Sequence, residues 1–447
     1  MRVLLAGHMP RDDAMARHLA PECQLFVAGD FVNPGLIEKA HASGGEYFLA
    51  PNGITDTVWL AELAVAAEVD MFVTNSDDTL AAGAIDAVKE ASSDILTPCP
   101  TQEQSRIEWD KFMLRGILDE IDPSLNPWYR TASDAETAAR GIRQLQMQGK
   151  EAVVKPRNLA GGKGVKVQGM PGYETHEDLI RYAEKVWKDP AQTGMEINEK
   201  LEGIEFTIVA SGDGKTLIIP PTTFDYPYRE DGDKGQGTGG MGSFTMGKDR
   251  LLPFLDQTTY DKAAWVMHEI SRRGYGYPGT MYGNFMVTNN GLKMIEMNAR
   301  DADPEKMNLY EVMDPSVSLL DSLVQTAEAT LQPDSLRYTD RASTVTYLVP
   351  PEYGRDLPPQ IHEFEIDPQQ ITAAGCRVYF GSCEKIGTNR YRTRGTSRSL
   401  AFASTGSTPW DAKANIDTAI ANGLSGSLEY RKDVGDQAYI DSLAAKL

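Results

Sequence analysis

Residues 285–305 read Phe-Met-Val-Thr-Asn-Asn-Gly-Leu-Lys-Met-Ile-Glu-Met-Asn-Ala-Arg-Asp-Ala-Asp-Pro-Glu. Two apolar runs are joined through Asn290-Gly291, the strongest short-range hairpin signal a sequence offers. On the second strand, side chains two apart share a face. Glu296, Asn298 and Arg300 therefore fall on one side, while Met294 and Met297 supply apolar positions. A carboxylate, an amide oxygen and a guanidinium on one strand face are costly to bury without partners. They suit a magnesium ion and the anionic groups it bridges. A hairpin whose polar face is simply wet is the plainer alternative for this segment taken alone.

The chain around it has 447 residues, enough for roughly three domains by length. Hydrophobic residues at 41% and charged residues at 24% describe an ordinary globular composition. No apolar run approaches the roughly 18 residues needed to cross a bilayer. The start, MRVLLAGHMPRDD, is too short and too quickly acidic for a secretory signal, so a cytoplasmic protein without membrane partners is expected. Cys23, Cys99, Cys376 and Cys383 lie far apart with no C-x-x-C pair, poor material for a zinc site or a disulfide framework. A net charge of −20 argues against a general nucleic-acid binder. An acidic chain that binds phosphates must use a few local lysines, arginines and glycine loops.

The first hundred residues alternate short apolar strands (3–6, 25–28, 47–49, 71–73) with helical stretches (57–67, 80–91). That alternation predicts βαβ units and a parallel, doubly wound sheet. After a proline-rich boundary at 97–100, a helix is expected over 104–119, then hairpins around 206–220 and an amphipathic helix at 264–272. The remainder opens with a β-rich run at 343–348 and ends with a helix near 410–422 and a basic cluster at 430–432.

Two glycine segments carry further chemistry. In Val153-Val-Lys-Pro-Arg-Asn-Leu-Ala-Gly-Gly-Lys-Gly-Val165, a buried strand delivers Lys155 and a glycine loop surrounds Lys163. Glycines let backbone N–H groups approach an anion, and lysine adds a point charge; a plain turn is the simpler reading. The order of a Walker A loop is absent. In Asp231-Gly-Asp-Lys-Gly-Gln-Gly-Thr-Gly-Gly-Met-Gly242, six glycines are expected to exclude regular helix or strand and to leave either a flexible loop or one that wraps a small ligand. Between them, Asn198-Glu-Lys-Leu-Glu-Gly-Ile-Glu205 places acidic side chains beside a strand, where they can accept hydrogen bonds from sugar hydroxyls. A solvated charged turn is the alternative.

Taken in order, VVKPRNLAGGKGV, NEKLEGIE, DGDKGQGTGGMG, IEMNARDADPE and the late YRKDVG resemble the glycinamide ribonucleotide synthetase family of ATP-grasp ligases. The resemblance spans the whole chain. It implies an α/β protein: an N-terminal doubly wound parallel-sheet domain (1–100), a central ATP-grasp domain of two subdomains (101–336, its lid near 125–197) and a small β-rich C-terminal domain (337–447). ATP and Mg²⁺ are the implied cofactors, with Mn²⁺ as the alternative ion. Lys111, Lys155 and Lys163, with Gly161 and Gly162, would meet the phosphates. Glu199 and Leu201 would form the adenine hinge, Glu205 would hold the ribose, and Glu296 and Asn298 the metal. Arg300 and Lys155 would act on the reacting carboxylate or acyl phosphate. Gly7, Arg11, Asp225, Thr238, Gly239, Gly240, Asp303, Pro304 and Glu305 would contact the substrates.

The implied reaction phosphorylates a carboxylate and lets an amine attack the acyl phosphate, as in the ligation of glycine to phosphoribosylamine in purine biosynthesis. The partners are small molecules, an amino acid and an amine, and the protein is a monomer or a homodimer. The chain departs from the family mainly at the acceptor. The opening loop, Gly7-His-Met-Pro-Arg-Asp-Asp-Ala14, has Met9 and Pro10 where the family has glycines. Asp12 and Asp13 add negative charge where a 5′-phosphate would approach, so an altered or absent phosphate is expected. Phe224-Asp-Tyr-Pro-Tyr228 lacks two basic residues of the family pattern, and Asp301 and Ala302 are expected to resize the amino-acid pocket. A specialised relative using another amine and a non-catalytic ATP-binding relative are the alternatives.

Overall fold

The computed structural model of the protein describes residues 1–158, 164–190 and 192–446. The first strands, β1 (Arg2–Ala6), β2 (Gln24–Gly29), β3 (Tyr47–Leu49) and β4 (Met71–Thr74), pair in parallel in the order β3-β2-β1-β4. β1 and β4 are buried without alternation, as strands covered on both faces should be. Strand order reverses between β1 and β4, and α1 (Pro10–Leu19) starts from the end of β1 at that point.

Two helices expected as single elements are each divided. The stretch 80–91 becomes Asp77–Ala81 and Ala84–Ala91, because Gly83 takes φ 90° between them. The stretch 104–119 becomes Gln102–Trp109 and Lys111–Ile121. The break falls at Asp110, whose carboxylate accepts from the Phe112 N–H (3.2 Å), from Arg157 (2.7 Å) and from Arg106 (3.0 Å). A side chain that caps the second helix stops the first. Lys111 thus becomes the first residue of a helix.

Beyond these lies a nine-stranded antiparallel sheet. Its order is Gly291–Asn298, Pro278–Thr288, Gly203–Asp213, Thr223–Asp225, Gly242–Thr245, Ala342–Leu348, Leu400–Gly406 and Cys376–Phe380, with Leu217–Ile218 beside Gly203–Asp213. The last three strands along this path extend the sheet that carries the 285–305 hairpin, and helix Pro409–Gly423 covers them. A four-stranded sheet (Tyr129–Ala132, Met195–Glu199, Ala152–Pro156, Lys166–Val167) packs with helices Ala135–Met147 and His176–Trp187. It has its own apolar core around Ile142, Leu145, Val154 and Ile197. The expected amphipathic helix at 264–272 runs from Gln257 to Ile270. All four cysteines are buried and unpaired, and no helix among the described residues is long and apolar enough to cross a membrane.

Candidate active site

The 285–305 segment folds as a hairpin with two adjustments to its sequence reading. Thr288 pairs with Gly291, so Asn289 and Asn290 form the turn and Gly291, at φ 90°, opens the second strand. Further along, Asn284 faces Glu296 but Phe285 faces Met294, which leaves Ile295 as the extra residue of a β-bulge. Simple alternation would put Met294 on the same face as Glu296. The bulge instead buries both Met294 and Met297 (0% and 1% exposed) and turns Glu296 and Asn298 toward a cleft.

The bulge is held from outside the strand. Arg115, on helix Lys111–Ile121, donates to the Met294 carbonyl at 2.9 Å and to the Ile295 carbonyl. Its Nε meets the Glu196 carboxylate at 3.2 Å, and Nη1 meets Asn126 Oδ1 at 3.0 Å. Glu196, on strand Met195–Glu199, also accepts from Asn198 Nδ2 at 2.7 Å. Neither Arg115 nor Glu196 was singled out in the sequence. The available signal was a charged residue inside the apolar stripe formed by Leu114, Ile117 and Leu118.

Lys111, Lys155, Glu296, Asn298 and Arg300 line one cavity. Lys111 and Lys155 form no salt bridge with a described residue, although Lys155 is buried. Burial pulls the Lys155 ammonium below its ordinary pKa, against the pull of Glu196 and with Arg115 adding to the depression. An uncompensated buried cation in a cavity suits a polyanionic ligand. The Asn298 amide faces Glu108 Oε1 (3.2 Å) and the Met297 carbonyl (3.1 Å), two acceptors that assign its nitrogen to that side and its oxygen to the other. Arg300 lies 3.3 Å from Glu108, whose other oxygen accepts from the Ala299 N–H at 2.8 Å. Burial pushes the Glu108 carboxyl up to about 7, with Arg300 opposing and Asp77 reinforcing. Desolvation lowers the Arg300 pKa, but Glu108, Asp77, Tyr282 and Glu305 together raise it above its usual value.

A second cavity continues from the first and is lined by Glu199, Leu201 and Glu205 along with Lys155, Glu296 and Asn298. Glu199 ends its strand with its carboxylate engaged by the Trp128 N–H at 2.8 Å and by Lys150. Residues 200–202 then link it to the strand that begins at Gly203. Glu205 accepts from Asn284 Nδ2 at 2.9 Å, and burial raises its pKa. Asn198 Oδ1 and Asn284 Oδ1 are buried in this region without partners. Gly161, Gly162 and Lys163 lie outside the described residues.

Asp225, Thr238, Gly239, Asp303 and Glu305 line the far side of the second cavity; Gly240 and Pro304 do not line it but pack behind it. A Cβ on Gly240 would lie 2.7 Å from both Asp225 Oδ1 and Pro304 Cδ, so only glycine fits there. Burial and the neighbouring Glu305 charge raise Asp225, burial and the Asp303 charge raise Glu305, and Tyr282 donates to Glu305 at 3.0 Å. Arg398 reaches in from the C-terminal region. It donates to Asp303 Oδ2 (2.9 Å), to the Asp303 carbonyl (3.0 Å) and to the Gly239 carbonyl, and stacks over Tyr347. Asp301 and Ala302 do not line this pocket. Asp301 turns into the interior, where Lys306 (3.2 Å), Thr280 (2.5 Å) and Tyr310 (2.6 Å) hold it.

The glycine segment at 231–242 also differs from expectation, since Lys234–Gly237 forms a two-stranded ribbon with Tyr228–Glu230. The late basic cluster supplies its support. Arg431 is fully buried and donates to the Tyr228 carbonyl (3.0 Å) and to Asp233 (3.2 Å), while the Gly232 N–H donates to Asp433 (2.8 Å). Glycine lacks a Cβ to pack, so contacts from another segment must hold the ribbon.

Gly7 and Arg11 lie apart from these cavities, at the end of β1. Arg11 is buried and donates to the Asp301 carbonyl at 3.1 Å, which ties α1 to the residue after Arg300. Taken together, the cleft sets unpaired cations and a metal-competent carboxylate and amide beside Arg300. It can bind a polyphosphate at one end and a small polar substrate at the other.

Three comparisons relate the chain to known proteins. Residues 111–306 match the family model for the phosphoribosylglycinamide synthetase ATP-grasp (A) domain. The phosphoribosylamine–glycine ligase of Thermococcus kodakarensis is 31% identical, covering 98% of this chain and 97% of the relative. That of Methanococcus maripaludis is 33% identical over 97% and 96%. Among solved structures, the phosphoribosylamine–glycine ligase of Thermotoga maritima shares the fold at a TM-score of 0.74 with 20% identity, covering 97% of this chain and 100% of that one. The biotin carboxylase domain of Hydrogenobacter thermophilus 2-oxoglutarate carboxylase, solved with MgADP and bicarbonate, follows at 0.72 with 14% identity, over 98% and 95%.

Proposed function

Because the chain belongs to the phosphoribosylamine–glycine ligase family of ATP-grasp enzymes, we propose that it couples ATP cleavage to amide formation between glycine and an amine, through an acyl phosphate. The observation that supports this most is the meeting of Lys111, Lys155, Glu296, Asn298 and Arg300 around one cavity. A silent nucleotide-binding relative has no need of that set.

The residues present fit ATP and Mg²⁺. Two lysines without salt-bridge partners face the cavity, and Glu296 and the Asn298 Oδ1 offer hard oxygen ligands. Among the described residues no three His, Cys, Asp or Glu side chains cluster to hold a metal. Two protein oxygens plus phosphates and water is the usual way Mg²⁺ is bound. When bound, the ion would neutralise charge developing on the transferred phosphoryl group.

The amino acid's carboxylate takes the terminal phosphoryl group of ATP as the β–γ P–O bond breaks, releasing ADP. The acceptor nitrogen then attacks the acyl carbon, phosphate leaves and the nitrogen loses a proton. Lys155 and Arg300 hold the anionic groups in place, which is most of what such a step requires. The 200–202 linker and Glu205 orient adenine and ribose. Thr238, Gly239 and Gly240 shape the amino-acid end, with Asp303 and Glu305 beside them. Asp225, whose buried carboxyl is raised and whose Oδ1 has no partner, is suited to receive the amine's proton.

The test is ADP release across a panel of amino acids, each with and without candidate amines. Turnover that requires glycine and an amine together supports the reading. ATP binding without ADP from any pair removes it.

A further inference from the structure

Open parallel sheets receive ligands at the carboxyl ends of their strands where strand order reverses, and helix N-termini there ordinarily take anions through their backbone N–H groups. In this chain the loop from β1 to α1 is already filled. The Asp12 carboxylate folds back over it, accepting the Met9 N–H at 2.8 Å and Asn75 Nδ2 at 3.3 Å. A Cβ on Gly7 would lie 2.4–2.7 Å from its three carboxylate atoms, so the hollow that Gly7 opens is occupied by this side chain. Pro10, the first residue of α1, has no N–H to offer. Asp13 does the same one loop away, lying against Gly35 and accepting the Phe380 N–H at 2.8 Å. The loop itself lines neither cavity, but Asn75, which donates to Asp12 from the end of β4, lines one cavity with Arg300, and Asp77 lines another with it. Arg11, the nearest cation, donates to the Asp301 carbonyl and has Asp12 and Asp77 as its counter-charges.

We propose that the amine acceptor carries no phosphate at this loop, and that the Asp12 carboxylate is what excludes one. The proposal rests on the ligase reading and narrows its acceptor to an unphosphorylated amine. An incoming phosphate would meet a carboxylate at contact distance and find the Met9 donor already used. On the opposite wall the stretch Phe224-Asp-Tyr-Pro-Tyr228 presents Tyr228 and Asp225 to the cleft, neither of them a cation.

The full-length protein is supplied with Mg-ATP, glycine and either ribosylamine or phosphoribosylamine, and ADP is followed. Binding of ribose 5-phosphate is measured in parallel by calorimetry. The expected kcat/KM favours the unphosphorylated amine by about tenfold or more, and ribose 5-phosphate fails to bind at millimolar concentration. Asp12→Gly should move the preference toward the phosphorylated amine by about tenfold or create ribose 5-phosphate binding, and Asp12→Asn, which keeps the shape, should do so in part. Equal or better use of phosphoribosylamine by the unaltered protein overturns the proposal, as does tight ribose 5-phosphate binding to it. The absence of any gain in both variants overturns the role of Asp12. Failure of ADP release with every amine, alongside the expected calorimetry, removes the ligase reading and leaves the exclusion standing.

Discussion

Arg115 and Glu196 form an ion pair at 3.2 Å with 2% and 0% of their side chains exposed, 81 positions apart in the chain. One comes from the helix that begins with Lys111, the other from the sheet that carries Lys155. The same guanidinium bonds the carbonyls of the bulge before Glu296. Three elements that face the cavity are thereby referred to one side chain.

Arg115→Met leaves Glu196 charged and unpaired in the interior, a loss of about 3–5 kcal/mol. Chemical denaturation should register it. The double variant Arg115→Met/Glu196→Met should recover much of that stability, yet still need more Mg²⁺ for half-maximal rate, because the bulge has lost its outside support. Full stability with Arg115→Met alone would contradict the buried pair.

Glu296→Gln removes the carboxylate while keeping size. ADP release should fall by about a hundredfold or more, with the thermal midpoint close to that of the unaltered protein. Mg²⁺ titration distinguishes the causes: saturation should shift to higher concentration. An unchanged Mg²⁺ dependence would remove Glu296 from the metal set.

Glu108 gives a pH signature. Its pKa in the fold, about 7, lies above the ordinary 4.5, so its neutral form favours the folded state. That contribution is complete below pH 4.5 and is lost as pH rises through about 7. It amounts to on the order of 3 kcal/mol. The thermal midpoint should therefore decline from pH 5 toward pH 8, and Glu108→Gln should flatten the decline. Parallel curves for the two proteins would refute the assignment.

Arg398→Lys keeps the charge but cannot reach the Gly239 carbonyl and both oxygens of Asp303 together. The KM for the amino acid should rise about tenfold while kcat changes less. A loss confined to kcat would place Arg398 at the chemistry instead.

Much of this site could be seen in the sequence because its parts are local. The hairpin, the strand that delivers Lys155 and the Glu199–Glu205 crossover each declare themselves within ten or so residues. Met294 and Met297 were visible as apolar, but three-residue spacing contradicts strand alternation, and only the bulge at Ile295 reconciles them. The breaks at Gly83 and Asp110 were hidden for different reasons. The first is a backbone angle, the second a side chain whose partner Arg157 lies 47 positions away. Arg115, Glu196 and Arg398 were missed, and Arg431 was visible only as part of a basic cluster, because their meaning is entirely non-local, and a lone arginine looks the same whether it is solvated or buried. The sequence did flag Asp12 as an unwelcome charge. It did not reveal that the carboxylate lies over Gly7.

The ribbon at 231–242 depends on residues 430–433 for its hold, and Gly232 waits for a partner 201 positions later. At roughly 5–20 residues per second, a nascent chain spends on the order of 10–40 s with the glycine segment made but its clamp not yet synthesised. Glu296 and Asn298 precede the clamp by more than a hundred residues. The residues that line the Lys111–Arg300 cavity are thus all synthesised before the support of the ribbon.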